Sequence, residues 1–291
     1  MRKPFYASQS TYSEPGPYRE ALMLGGDSPE SIARWISSFM QHPRGADSKE
    51  RGFTTKQVVD LELRSVTDIL AVVAERNLLA GDPTQIKVGG LCRDFAIVAA
   101  SAFRAKGIPA RLRVGFADYI VPDFWEDHWL CEWHDGQHWR RLDVEFTSTD
   151  GRSFNTLDVP RERFLMASEA WFRIKDQPSI ASRFGVSSLG LCGEWFVAGS
   201  LLREIAALRK LELKPWDYWG LSKDLSPVST ELSRQARTTL DLLASQLRSA
   251  DVDGDGEPEA VAGWPLPKEV ISFPQGEPVI VVLQKPNIRE I

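Results

Sequence analysis

The chain has 291 residues, 43% of them hydrophobic, with a formal net charge of −5. That is enough apolar material for one large or two small cores, and the weakly acidic balance excludes a binder that works by neutralising nucleic-acid phosphates. The basic clusters at Arg161–Arg163 and Arg203–Lys210 read as solvated helix faces, and no stretch is long and apolar enough to span a membrane.

The first 27 residues read as a loose polar arm rich in Pro, Tyr and Ser, without the apolar segment of a signal peptide. Three cysteines make an odd count, which points to free thiols in a reducing cytoplasm, Cys131 and Cys192 being small buried apolar groups. Ser28-Pro29-Glu30 then opens a helix carrying Ile32, Trp35, Ile36 and Phe39 on one face and ending before His42-Pro43. A second helix is expected from Leu63 to Leu79, since Val66, Ile69, Leu70, Val73 and Ala74 keep helical period until Gly81-Asp82-Pro83 stops it.

Gly89-Gly90 breaks the chain again. Phe95, Val98, Ala99, Ala102 and Phe103 follow at helical spacing until Gly107-Ile108-Pro109. Cys92 therefore falls in the first turn of a helix, where unpaired N–H groups and the positive end of the dipole favour thiolate over thiol. Asp94 opposes this if it faces the sulfur, and it is read as turned away.

Strands are expected near Arg111–Phe116, Trp129–Trp133 and Trp139–Phe146, the last two joined at Asp135-Gly136. Asp-Gly suits a two-residue type I′ turn because Gly supplies positive φ without steric cost. That turn sets Trp133 opposite His138, Cys131 opposite Arg140 and His128 opposite Asp143. Directly opposed residues share a face with Cβ atoms roughly 5 Å apart, close enough for a carboxylate to accept an imidazole N–H. Glu145, set against Glu126 one pair further from the turn, serves as a control for Asp143.

In the order Cys92, His128, Asp143 these are the members a thiol-nucleophile triad needs: attacking sulfur, proton-moving imidazole, orienting carboxylate. The motif Gly-x-Cys-x-Asp-Phe-Ala at Gly90–Ala96, the following Arg-Ala-Lys-Gly-Ile-Pro-Ala-Arg, the strand Leu-Arg-Val-Gly-Phe, and then His-Trp-x-x-Glu-Trp and Leu-Asp resemble the core of the transglutaminase-like superfamily, over roughly residues 55–147. The resemblance implies Cys92 as nucleophile, His128 as general base and then acid, and Asp143 as orienter. It leaves open whether water or an amine resolves the thioester.

The expected fold is α+β, a papain/transglutaminase-like core with the cysteine helix packed on an antiparallel sheet and an all-helical C-terminal extension. Residues 1–27 form the arm, 28–159 the core, 160–250 the extension, and 251–291 an acidic linker and tail with one strand at Pro278–Leu283. The extension is read as helices over Pro160–Ile174, Gly193–Leu211 and Ser229–Ser249. It carries Trp171, Trp195, Trp216 and Trp219 of the chain's 10 tryptophans, as core or, with Trp129, as the wall of a substrate cleft.

Two motifs are set aside. Asp251-Val-Asp-Gly-Asp-Gly256 begins like a calcium loop but has Ala262 where a bidentate acid belongs. His134 and His138 have zinc-helix spacing but flank a turn. No metal or cofactor is expected.

The reading is thus a thiol hydrolase or acyltransferase acting on an amide or ester carbonyl of a peptide, protein or small molecule. The oxyanion would be met by the Cys92 N–H and the Gln85 side chain. The alternative is a catalytically silent module that binds partners through the Trp-rich region. Oligomeric state is not legible.

Overall fold

The computed structural model describes residues 3–43, 52–82, 84–146, 153–223, 225, 230–252 and 261–283. In chain order its helices are α1 (Lys3–Ala7), α2 (Arg19–Met23), α3 (Pro29–Phe39), α4 (Thr55–Asp60), α5 (Val66–Glu75), α6 (Cys92–Ala105), α7 (Ala167–Asp176), α8 (Glu194–Leu208) and α9 (Arg234–Val252). The strands are β1 (Met40–Gln41), β2 (Val88–Gly89), β3 (Ala110–Ala117), β4 (Trp125–His134), β5 (Trp139–Leu142), β6 (Phe164–Met166), β7 (Phe184–Val186), β8 (Leu191–Cys192), β9 (Asp217–Tyr218), β10 (Glu269–Ser272) and β11 (Val279–Val282). Contacts divide the chain into two units, one of residues 2–112 and 130–159, the other of 113–129 and 160–286. Strands β3 and β4 contribute residues to both.

The first unit is organised around α6. This helix is Ala-rich, and every residue from Cys92 to Arg104 is buried, as a helix apolar on most sides requires. Its C-terminus closes in a Schellman motif: Gly107, at φ 74°, donates to Arg104 O, and Ile108 N–H reaches Phe103 O. Helices α1, α2, α3 and α5 pack around it. Phe103 stacks flat on Trp133 of β4, with ring centroids 5.1 Å apart.

The N-terminal segment is not the loose arm expected from its composition. Tyr6, Tyr12 and Leu22 are buried, and Arg104 of α6 donates to Ser13 Oγ at 2.7 Å. Ser101 Oγ reaches Ser13 O and Gln9 Nε2 reaches Ser101 O, so the buried polar face of α6 is satisfied by this segment. Helix α5 starts at Val66 rather than Leu63, because Ser65 caps it by accepting from Asp68 N.

Strand β5 pairs antiparallel with β4, setting Cys131 against Leu142, Trp133 against Arg140 and His134 against Trp139. The register is displaced by two residues from the one that opposes His128 to Asp143. The physical reason lies at Asp135, whose carboxylate accepts from both Gln137 N and His138 N, while its own N–H donates to His138 O. The two turn residues are therefore Gly136 and Gln137. A slip of two leaves each side chain on the face its alternation assigns, but the ladder stops at Leu142, before Asp143.

In the second unit the strand order is β6-β3-β4-β7-β8. Strands β3–β6 and β7–β8 are antiparallel and β4–β7 is parallel, so the sheet is mixed where an antiparallel one was expected. Residues 160–250 are likewise not all-helical. Phe164 and Met166 are buried on β6 against β3, and Gly185 of β7 runs so close to β8 that a Cβ there would lie 1.9 Å from Leu191 O. Helices α7, α8 and α9 pack together in this unit. Strands β9, β10 and β11 form a second sheet, so the tail holds two strands, one more than its sequence suggested.

Candidate active site

Cys92 is the first residue of α6, and its position is prepared by what precedes it. Strand β2 runs parallel to β1, with Gln41 beside Gly89, and Gly90 N–H donates to Gln41 O at 3.0 Å. Gly89 is demanded by close approach to backbone rather than by positive φ, whereas the atom nearest a Cβ on Gly90 is the end of a flexible side chain. A Cβ on Gly89 would lie 2.2 Å from Gln57 O, and one on Gly90 would lie 2.4 Å from the Met40 methyl carbon. Asp60, itself buried, takes Gly89 N–H at 2.9 Å and holds Arg76 through two bonds of 2.7 Å.

The thiol residue is 5% exposed. Asp94 reaches back to the Leu91 N–H at 3.0 Å and receives Arg93 at 2.9 Å, so its charge closes the helix start in place of a capping side chain. The other cysteines differ from it in setting. Cys131 is fully buried, and burial pushes its thiol far up, leaving it without nucleophilic character near neutral pH. Cys192 is half-buried beside Gly190 O rather than the core thiol expected.

Asp143 lies in the same unit as Cys92, one residue beyond β5 and 1% exposed. Its N–H donates to Thr156 O at 2.8 Å, and its Oδ1 accepts from Glu145 N at 3.1 Å. Glu145 is not the bystander across from Glu126 that its sequence position suggested. Its carboxylate lies 3.4 Å from His42 Nδ1, with both side chains buried. His42 was not singled out by its sequence; it directly follows β1 and meets a residue far away in the chain.

His128 belongs to the other unit, on β4, and is fully buried. Tyr119 and Phe164 meet its ring edge to face, at centroid distances of 6.1 and 6.5 Å. Its neighbour Asp127 receives Ser200 Oγ of α8 at 3.4 Å, and Arg203 donates to that hydroxyl at 3.0 Å. Glu126 takes Ser187 N–H at 3.0 Å.

Gln85 is exposed, and its amide donates to Asp82 at 3.3 Å. It lines a groove of about 340 Å³ with Lys56, Val59, Asp60, Glu75, Arg76 and Ile86. Trp129 is 1% exposed. Trp216 is half-buried under the Lys214 ammonium, and Trp219 lines a groove of about 500 Å³ with Tyr218, Pro265, Pro267 and Ile271.

Among the described residues no three His, Cys, Asp or Glu side chains are grouped to hold a metal ion, and no helix is long and apolar enough to cross a membrane. Asp251 stands at the end of α9, and Asp253–Gly256 of the calcium-like run lie outside the described residues. His134 Nδ1 accepts from Gly136 N at 2.9 Å, which ties it into the turn.

Residues 76–144 match the family model described as Transglutaminase-like superfamily, a segment that contains Cys92, His128 and Asp143. The chain also resembles a solved structure described as a "Putative Cysteine Protease from Cytophaga hutchinsonii". The identity is 20% and the TM-score 0.36, over 57% of this chain and 45% of that one. The chain thus spans less than half the length of that protein. No curated protein matches it.

Proposed function

We propose that this chain, a member of the transglutaminase-like superfamily through residues 76–144, is a cysteine-nucleophile enzyme that acts on an amide or ester carbonyl through a thioester. The observation that carries the reading is the seat of Cys92: first residue of a buried helix, inside the family-matched segment. The positive end of the helix dipole there stabilises a thiolate.

Cys92 Sγ attacks the carbonyl carbon as His128 takes the thiol proton. The tetrahedral intermediate then collapses, breaking the bond to the amine or alcohol, which leaves with the proton from His128. Water or a second amine, deprotonated by His128, attacks the thioester and restores the thiolate and the imidazolium, whose proton completes the cycle. Asp143 keeps the imidazole in one tautomer. The Cys92 N–H meets the oxyanion, and Gln85 would join it only on releasing Asp82. Trp129, Trp216 and Trp219 are the candidates for the wall of the substrate cleft. The substrate is a peptide, protein or small-molecule amide or ester.

The test is a pair of variants and an added nucleophile. Cys92→Ala should abolish turnover in a folded protein, and Asp143→Asn should lower kcat by about 10²-fold or more with little change in KM. Adding a free amine during turnover sorts the reaction class: an amide of that amine marks an acyltransferase, and free acid alone marks a hydrolase. Wild-type activity in Cys92→Ala would refute the nucleophile.

A further inference from the structure

Asp143 stands where regular structure has run out. Strand β5 ends at Leu142, one residue before Asp143. Asp143 N–H donates to Thr156 O, and a second set of contacts leads from this turn toward the strand before the thiol. Asp143 Oδ1 accepts Glu145 N–H at 3.1 Å, and Glu145 Oε1 lies 3.4 Å from His42 Nδ1. His42 directly follows β1, whose Gln41 carbonyl takes the Gly90 N–H two residues before Cys92. A continuous path inside one unit therefore links the carboxylate of Asp143 to the strand that delivers the thiol.

We propose that His42 and Glu145 are a positioning pair that sets Asp143 and the Cys92 strand in a common frame. This rests on the reading of Cys92 and Asp143 given above. The chemistry of the pair suits such a role. Both side chains are more than nine-tenths buried, where an imidazole beside a carboxylate interacts far more strongly than at a surface. Neither residue touches substrate in this scheme. Glu145 acts through its backbone N–H on Asp143, and His42 acts by holding Glu145. A purely architectural pair would stabilise the junction of β1 with the 143–146 turn and leave the reactivity of the thiol unchanged.

The experiment measures the rate at which iodoacetamide alkylates Cys92 at pH 6, resolved from Cys131 and Cys192 by peptide mapping, in wild type, His42→Asn, Glu145→Gln, Asp143→Asn and the two double variants with Asp143→Asn. Thermal midpoints are recorded alongside. The pair predicts that His42→Asn and Glu145→Gln each slow alkylation in the same direction as Asp143→Asn, by about threefold to tenfold, up to about one pKa unit of thiolate stabilisation. It also predicts that neither adds to the loss once Asp143 is already Asn. Where His42→Asn fails to fold, Glu145→Gln carries the test, because it keeps the size of the side chain and removes only its charge. Wild-type alkylation in a folded Glu145→Gln, or full additivity with Asp143→Asn, would overturn the pair while leaving the nucleophile standing. Slow alkylation of Cys92 in the wild type itself, unchanged by Asp143→Asn, would overturn both.

Discussion

Gly89 shows how tightly single residues constrain this site. Its φ is ordinary, yet Gln57 O occupies the space a Cβ would need, and its N–H is spent on Asp60. Gly89→Ala should therefore push β2 away from α4 and cost about 3 kcal/mol, the range of a backbone clash in a packed core. Urea unfolding checks this, and a loss below about 1 kcal/mol would mean that the strand can shift freely. From the sequence, the Gly-Gly pair was legible only as a chain breaker, because close approach depends on a partner 32 positions away, a distance that local patterning does not reach. Cys92 and its helix were legible, since helical period and Gly107 are local signals. His42 was not, because a lone histidine before a proline carries no periodic signature.

At the scale of elements, the hairpin shows what local chemistry can and cannot set. The Asp-Gly signal found the turn, and strand alternation found the faces of β4. The register escaped because the Asp135 side chain captures the next two free N–H groups and so moves the turn one residue on. Those bonds, that from His138 N first and then those from Arg140 and Gln137, hold the Asp135 carboxyl well below the ordinary range. A carboxyl with a lowered folded pKa contributes stability that is present above its unfolded value, near about 3.9, and is lost as pH falls through the folded value. The thermal midpoint of Asp135→Ala should accordingly lie below wild type by a constant amount above about pH 5, and the gap should close at strongly acidic pH. A gap that widens on acidification would mean another group controls the turn. Residues 160–250 were misread for a related reason. Phe164-Leu-Met and Phe-Gly-Val are three-residue runs, too short to show a period of two, and they become strands only because β3 and β4 offer them edges.

Across the molecule, the polar groups buried in each unit are answered by residues distant in sequence. In one unit Glu132 of β4 receives Arg111 at 2.8 Å and Arg141 at 3.2 Å; in the other Glu204 receives Arg113 at 2.8 Å and Ser168 N at 3.1 Å. The basic run at Arg203–Lys210, which reads as a solvated helix face, is in fact buried at Arg203 and Lys210, because Ser200, Asp217 and the Tyr218 ring surround the guanidinium. Such networks favour one arrangement of strands over its neighbours in register, since a slip would strand charges in the core. The central claim is that Cys92 carries the acyl group, and its most direct test is to trap that group. The protein is incubated with p-nitrophenyl acetate, quenched in acid and peptide-mapped by mass spectrometry. The account predicts one acetyl group, on Cys92, discharged by added amine or on standing in water and absent from Cys92→Ala. Acetyl on Cys192, or none on Cys92 while the ester is consumed, would contradict it.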